Sequence, residues 1–160
     1  MRITLFSVGR LKPGQEADLA ARYLNRLTKA GPAIGLEFAR TVEIVESRAQ
    51  TAAQRKTEEA AELEKALPKG AALIILDERG KSPDSVEFAN ILARYRDDSQ
   101  RDLVLAIGGP DGFDPDIRRK ADLVISFGKM TWPHQLVRIM LAEQVYRAAT
   151  ILSGHPYHRS

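Results

Sequence analysis

The regular alternation of apolar runs with amphipathic segments, from one end of the chain to the other, constrains the fold most strongly. The clearest run, AALIIL at 71–76, is continuously apolar, which is typical of a strand buried on both faces of a parallel sheet. Parallel strands are joined by crossovers, usually helices, and helical patterns do separate the apolar runs. The sequence therefore predicts one α/β domain over residues 1–160, with a Rossmann-like parallel sheet.

The same alternation predicts five strands and five helices. We expect strands at 3–8, within 36–45, and at 71–76, 102–107 and 123–127. Helical patterns cover 16–29, 51–67, a segment beginning at 82–83, 115–121 and about 133–152. Ser82 with Pro83, and Thr131 with Pro133, have the residue types of a helix cap followed by a first-turn proline.

The composition excludes several kinds of chemistry. The 160 residues contain no cysteine, which removes thiol nucleophiles and cysteine-bound zinc. The three histidines lack the H-E-x-x-H spacing of a helical zinc site, so we expect no metal. No stretch approaches about 18 apolar residues, and the opening segment is unlike a signal peptide. We therefore expect a cytoplasmic protein without a membrane partner.

The positive charge of the chain is concentrated near its end. The net charge is only +3, but residues 118–160 contain seven Lys and Arg against two acids. Such a distribution is compatible with a polyanionic partner such as RNA, although many proteins with similar charge bind no nucleic acid.

The stretch IGGPDG at 107–112 follows a predicted buried strand, and its three glycines would let backbone approach a ligand closely. Ligands of open parallel sheets bind beyond the carboxyl ends of strands, so this loop and the one after Leu76 are candidate walls of one pocket. The alternative is an ordinary tight turn. Neither G-x-G-x-x-G after the first strand nor G-x-x-x-x-G-K-[ST] is present, so the common nucleotide fingerprints are missing.

The last predicted helix has apolar residues around much of its surface, which indicates burial on more than one side and favours contact with a second subunit. Glu143 and Arg147 have the four-residue spacing of a helix ion pair, an interpretation we prefer to a catalytic role. Arg138 lies among apolar neighbours, where a charge needs a partner or a function.

Three stretches together carry a family resemblance: IGGPDGF at 107–113, WPHQLVRIMLAEQVYRA at 132–148 and HPYHR at 155–159. They closely resemble the small SPOUT-class methyltransferases that modify N3 of a pseudouridine in large-subunit ribosomal RNA, the RlmH (YbeA-like) family. The likeness spans essentially the whole chain. The N-terminal two-thirds match mainly in pattern, and the final third matches nearly residue by residue.

The resemblance implies a C-terminal trefoil knot, a homodimer, and S-adenosylmethionine as the cofactor, held in the knot by three loops. Those loops correspond here to the end of the strand at Leu76, the turn at Gly108 and Gly109, and the segment after the last strand. The cofactor-binding residues implied in that segment are Gly128, Lys129, Met130, Thr131, Trp132 and Pro133.

The resemblance also implies methyl transfer to 23S rRNA in the assembled 70S ribosome. We expect the C-terminal tail to fold over the cofactor pocket and to complete it across the dimer interface. In that hypothesis Arg159 binds phosphate or developing negative charge, Tyr157 stacks or hydrogen-bonds, and His158 accepts the N3 proton.

Other expectations concern the surroundings of this site. Arg138 and His134 are candidate substrate-binding residues, and His134 is equally suited to orienting the cofactor loop. His155 is a candidate cap of the preceding helix. Two alternatives stay open at this point: a methyltransferase for another RNA nucleotide, and a catalytically silent RNA- or ribosome-binding factor of the same fold.

Overall fold

The computed structural model describes residues 1–158, which form a five-stranded parallel sheet with helices on both faces. The strand order is β2-β1-β4-β3-β5. In chain order the elements are β1 Arg2–Val8, α1 Gln15–Ala30, a short 3-10 turn Pro32–Ile34, β2 Glu37–Ile44, α2 Ala52–Ala66, β3 Ala72–Lys81, α3 Ser85–Asp97, β4 Asp102–Ile107, α4 Pro115–Lys120, β5 Leu123–Ile125 and α5 His134–Leu152. The predicted parallel α/β sheet is confirmed.

The run at 71–76 is a central strand, as its continuous apolarity predicts. Ile74 packs with residues of α1, α3 and α5 on one face of the sheet. Leu73 and Ile75 pack on the other face with Leu63 of α2 and Ile117 of α4. Successive side chains of a strand point to opposite faces, so a strand covered by helices on both sides needs an apolar residue at every position.

Strand β3 does not end at Leu76 as the sequence predicts. Its backbone continues to Lys81, and Ile125 of β5 pairs with both Leu76 and Lys81. The Ser126 backbone N–H also donates to the Lys81 carbonyl at 2.8 Å. Residues 77–80 therefore form an arch beside Ile125. The mostly charged sequence DERGK at 77–81 favours a loop, but a strand can pair through its backbone without apolar side chains.

The predicted start of α3 and the predicted cap of α5 are wrong. The cap of α3 is Asp84, which accepts from the Glu87 backbone at 2.8 Å while the Glu87 side chain accepts from the Asp84 backbone at 2.9 Å. This reciprocal capping box replaces Ser82 with Pro83 as the helix start, because it satisfies two free backbone N–H groups at once. Helix α5 begins at His134 after Pro133 and has no side-chain cap, so Thr131 does not cap it.

Helix α5 packs against α1 and α3 and is buried along most of its length. Large apolar side chains nevertheless stay exposed at and before its start: Met130 is 72% exposed, Leu136 is 42% exposed and Trp132 is 37% exposed. Among residues 1–158, no helix combines the length and apolarity that crossing a membrane requires.

Candidate active site

A cleft of about 590 Å³ opens at the carboxyl edge of the sheet, where the chain leaves β3, β4 and β5. Parallel strands end on the same side, so loops far apart in sequence meet there. The cleft is lined by residues from 76–79, from 107–113 and from 126–132. The two walls predicted from the glycines and from Leu76 are therefore confirmed as parts of one cleft.

The structure brings most of the sequence-predicted cofactor residues together. Those that line the cleft are Leu76, Gly108, Gly109, Gly128, Met130, Thr131 and Trp132. Lys129 and Pro133 belong to the same segment but do not line the cleft. His134, predicted to bind substrate or to orient the cofactor loop, also lines it.

The loop at 108–112 is both a tight turn and a wall of the cleft. The Gly112 N–H donates to the Gly109 carbonyl at 2.9 Å, which closes the turn. Gly112 has a φ of 76°, in the region that favours glycine. A side chain on Gly108 would meet the Phe113 ring at 3.1 Å. The two interpretations of this stretch are therefore compatible, since the turn presents bare backbone to the cleft.

Helix α2 supports this loop through charged contacts that the sequence did not reveal. Arg55 donates to both carboxylate oxygens of Asp111, from Nε at 2.6 Å and from Nη2 at 3.1 Å. The bond to Arg55 is the main cause that lowers the pKa of Asp111, and it raises the pKa of Arg55. Thr57 donates to Asp114 at 3.3 Å. Because 56 residues separate Arg55 from Asp111, no local pattern predicts their contact.

Charged side chains of both signs surround the mouth of the cleft. Arg118 of α4 donates to Asp77 at 3.0 Å, and the Asp77 carboxylate is only 9% exposed. Lys56, Arg79 and Arg119 also line the cleft. The arch after Leu76 thus contributes an acidic group held by an arginine, and the rim adds cations suited to a polyanionic ligand.

Arg138 lies 8% exposed beside the ends of β1 and β2. Its Nη1 donates to Glu43 at 2.7 Å, and its Nη2 donates to the carbonyls of Val8 and Gly9 at 2.8 Å each. Burial lowers the pKa of Arg138, and the nearby Glu43 opposes that shift. The expected partner of this charge is therefore Glu43. Contact with substrate stays a prediction for Arg138.

The described part of the C-terminal tail docks on α5 of its own chain. The Tyr157 hydroxyl donates to Glu143 at 3.1 Å, and its ring lies 4.9 Å from the Tyr146 ring. The Arg147 guanidinium lies 4.9 Å from the Tyr157 ring centroid and also donates to Glu143 at 2.6 Å, which confirms the predicted helix ion pair. His158 Nδ1 is 3.4 Å from Arg147 Nη1.

The tail residues that the structure describes do not line the cleft of the same chain. Neither Tyr157 nor His158 is among its walls, and Arg159 lies outside the described residues. His155 closes the end of α5 through its backbone N–H, which donates to the Thr150 carbonyl at 2.9 Å. Its ring accepts from the Tyr157 backbone at 3.1 Å instead of capping the helix.

A second cavity of about 580 Å³ borders the first and shares residues 126–128 with it. It lies between α1, the start of α3 and α5, and Tyr23, Phe88, Met140 and Glu143 are among its walls. Since Glu143 also holds Tyr157, this cavity lies next to the docked tail. Within residues 1–158, no group of three or more acidic or histidine side chains is arranged to hold a metal ion.

A parallel sheet with a glycine-walled cleft at its carboxyl edge is typical of the class of open α/β domains, which bind their ligands at this position. A family model described as "Predicted SPOUT methyltransferase" matches residues 1–158. The chain belongs to the SPOUT methyltransferase family, as the resemblance indicated, and is therefore a methyltransferase.

Individual proteins agree with this assignment. The ribosomal RNA large subunit methyltransferase H of Sinorhizobium medicae (strain WSM419) is 65% identical over 160 residues, all of both chains. The protein of the same name from Rhizobium meliloti (strain 1021) is 64% identical, again over the whole of both chains. Among solved structures, a probable methyltransferase from Bordetella pertussis Tohama I has a TM-score of 0.57 at 18% identity, covering 92% of this chain and 95% of that one. The last similarity concerns the fold alone.

Proposed function

We propose that this protein transfers the methyl group of S-adenosylmethionine to N3 of a pseudouridine in the 23S rRNA of assembled ribosomes. The observation that carries the proposal is the cleft at the carboxyl edge of the sheet. Three segments of this SPOUT methyltransferase line it, and two of them contribute glycines. Relatives that are 63–65% identical along the chain are named ribosomal RNA large subunit methyltransferase H, which supports ribosomal RNA as the substrate.

The residues of the cleft fit S-adenosylmethionine. The volume of the cleft, about 590 Å³, lies within the range of small-molecule sites, about 300–1,000 Å³. The backbone at Gly108, Gly109 and Gly128 offers hydrogen-bond partners without side chains in the way, while Leu76 and Trp132 offer apolar contact. When bound, the cofactor supplies an electrophilic methyl group on a sulfonium. Holding that methyl in line with N3 is then the main task of the protein.

Tyr157 is suited to donating a hydrogen bond rather than to accepting the N3 proton. Burial, ahead of the Tyr23 hydroxyl and the Glu143 carboxylate, raises the pKa of Tyr157, so the phenol stays protonated at neutral pH. A proton acceptor must be unprotonated when substrate binds, which favours His158 over Tyr157 for that role. Arg159 is assigned to phosphate or to charge developing on the base.

We further propose a homodimer in which the tail of one subunit completes the cleft of its partner. Two observations support this arrangement. Tyr157 and His158 contact Glu143 and Arg147 of α5 and do not line the cleft of their own chain. Met130, Trp132 and Leu136 leave an apolar surface exposed at the other end of α5. Exposed apolar side chains in one region commonly mark a protein interface.

The arch at 77–80 supports the predicted trefoil knot. Its backbone closes around the point where the chain leaves β5, with Ile125 paired on one side to Leu76 and on the other to Lys81. A chain that passes beside such an arch before entering α5 has the local geometry that a threaded C-terminal segment needs. Knots are exceptional, so the arch is a specific feature of this proposal.

The proposal is tested by transfer of labelled methyl from S-adenosylmethionine to intact ribosomes, separated subunits and naked rRNA, with the modified nucleotide located by mass spectrometry. We expect one pseudouridine labelled at N3, in assembled ribosomes only, which is also consistent with a cytoplasmic protein. Label on another nucleotide would favour a different RNA substrate. Tight cofactor binding without labelling of these RNAs would also favour a different RNA substrate, whereas an absence of cofactor binding would favour a silent ribosome-binding factor.

A further inference from the structure

We infer that helix α2 sets the shape of the cofactor loop, with Arg55 and Glu59 as positioning residues for the turn at 108–112. This inference rests on the proposed function, because it concerns the same cofactor cleft. It assigns a role to a helix that supplies only Lys56 to the walls of that cleft.

Arg55 connects three segments at the carboxyl edge. It donates from Nε and Nη2 to the two carboxylate oxygens of Asp111, at 2.6 and 3.1 Å. Its Nη1 donates to the Ala49 carbonyl at 3.0 Å, in the segment between β2 and α2. A planar guanidinium that binds both oxygens of a carboxylate fixes orientation as well as distance. The far end of the glycine turn is therefore held in one direction relative to α2.

Glu59, one helical turn after Arg55, fills the space behind the near end of the turn. It is 7% exposed, and its Oε1 accepts from the Ser47 backbone at 3.0 Å. Its Oε2 lies 2.8 Å from the position that a Cβ on Gly109 would occupy. On the other side, the Val8 side chain is 3.1 Å from the same position. Gly109 is thus confined between Glu59 and the end of β1.

The two contacts matter for binding because glycine-rich backbone is otherwise free to adopt many shapes. If a loop becomes ordered only when the ligand binds, the entropy cost of ordering lowers the binding affinity. A loop that is already held in the bound shape does not have this cost. Arg55 holds one end of the turn and Glu59 confines the other.

The test compares Arg55→Gln with Arg2→Gln. Arg2 forms an equally two-pronged ion pair with Asp102, through Nε at 2.9 Å and Nη2 at 2.9 Å, but at the opposite edge of the sheet. Both changes remove one arginine–aspartate pair, and only Arg55 touches the cofactor loop. The measurements are the melting temperature, the Kd of S-adenosylmethionine by calorimetry, and kcat and KM for the cofactor.

We expect Arg55→Gln to raise Kd and KM for the cofactor on the order of tenfold, within the usual range of coupling between sites. Its kcat at saturating cofactor and its melting temperature should resemble those of Arg2→Gln, which should bind the cofactor like the wild type. Arg55→Lys, which keeps one ion pair, should recover part of the affinity. Hydrogen exchange of the Gly112 amide should speed up in Arg55→Gln only.

Glu59 is tested by a pair of changes of different shape. Glu59→Gln keeps the size of the side chain and should bind the cofactor nearly as the wild type does. Glu59→Ala empties the space beside Gly109 and should weaken binding like Arg55→Gln. Unchanged Kd in folded Arg55→Gln and Glu59→Ala would overturn the inference alone. Failure of the wild type to bind S-adenosylmethionine would overturn the proposed function together with the inference.

Discussion

At the scale of single residues, Arg138 shows how one buried charge joins segments that the sheet alone leaves separate. Its guanidinium binds the carbonyls at the end of β1 and the Glu43 carboxylate of β2. Glu43 in turn accepts from the Leu11 backbone at 3.2 Å. The loop that follows β1 is therefore tied to α5 through a charge buried among polar partners, which is the condition under which a buried arginine is tolerated.

Replacing Arg138 by Met should destabilise the protein strongly. The change leaves Glu43 without its cation and removes the guanidinium donor from the Val8 and Gly9 carbonyls, and removing one member of a buried pair costs about 3–5 kcal/mol. Arg2→Met, at an exposed ion pair, should cost less than about 1 kcal/mol. Urea unfolding of the two variants gives both values. A loss below about 1 kcal/mol for Arg138→Met would mean that this arginine is free to serve the substrate.

Predictions about single residues were right where they depend on the residue type or on near neighbours in the sequence. They failed where a residue contacts a partner far away in the sequence. The glycines at 108–109 were recognised because their type alone permits close approach of backbone. The need of Arg138 for a partner followed from its apolar neighbours, but Glu43 lies 95 residues away and could not be identified. Arg55 and Glu59 were missed for the same reason. Of the contacts around the tail, only the Glu143–Arg147 ion pair was predicted, from its four-residue spacing. The contacts of Tyr157 with these two residues were not.

At the scale of elements, the sequence patterns predicted every strand and α-helix of the described residues, because each segment that packs on the sheet has its own apolar pattern. The extension of β3 was not predictable, since it depends on the pairing of Lys81 with Ile125, a residue of a strand that comes about 45 residues later. The start of α3 was misplaced by a competing Ser-Pro signal, although Asp84 and Glu87 carry the spacing of a capping box.

Gly80→Ala should disturb the arch more than a glycine change elsewhere. A Cβ on Gly80 would lie 2.5 Å from the Ile125 carbonyl carbon, and backbone cannot move aside as a side chain can. Gly70→Ala is the control, because Gly70 has a φ of 75° with nothing within 4 Å and should cost only about 1–2 kcal/mol.

Thermal unfolding and cofactor titration measure the difference between these two variants. We expect Gly80→Ala to lose more stability than Gly70→Ala and also to bind S-adenosylmethionine more weakly, because the arch follows Leu76 and includes Asp77, both of which line the cleft. Equal melting temperatures and equal affinities in the two variants would show that the β3 and β5 backbones can separate at that point without consequence.

At the scale of the whole molecule, the proposed composite site predicts complementation between two inactive variants. Gly109→Val should distort the cofactor loop, because its side chain would meet Glu59 and Val8 behind the turn, and removal of residues 155–160 should leave a cleft without its tail. When the two variants are co-expressed, statistical mixing makes half of the dimers mixed, each with one complete site. Recovery of about a quarter of wild-type methyl transfer is expected. No recovery from mixed dimers that bind cofactor would place the tail at its own cleft.

The position of β1 between β2 and β4 also determines when the molecule can assemble. Arg2, the first residue of β1, pairs with Asp102 of β4, 100 residues later. Strand β1 therefore cannot pair with β4 until that part of the chain has been made. Contacts between distant parts of a chain slow folding, because loop closure precedes the contacts that compensate for it. The sheet can therefore be completed only after β4 and β5 have left the ribosome that makes the protein, and the cleft at its carboxyl edge cannot form before them.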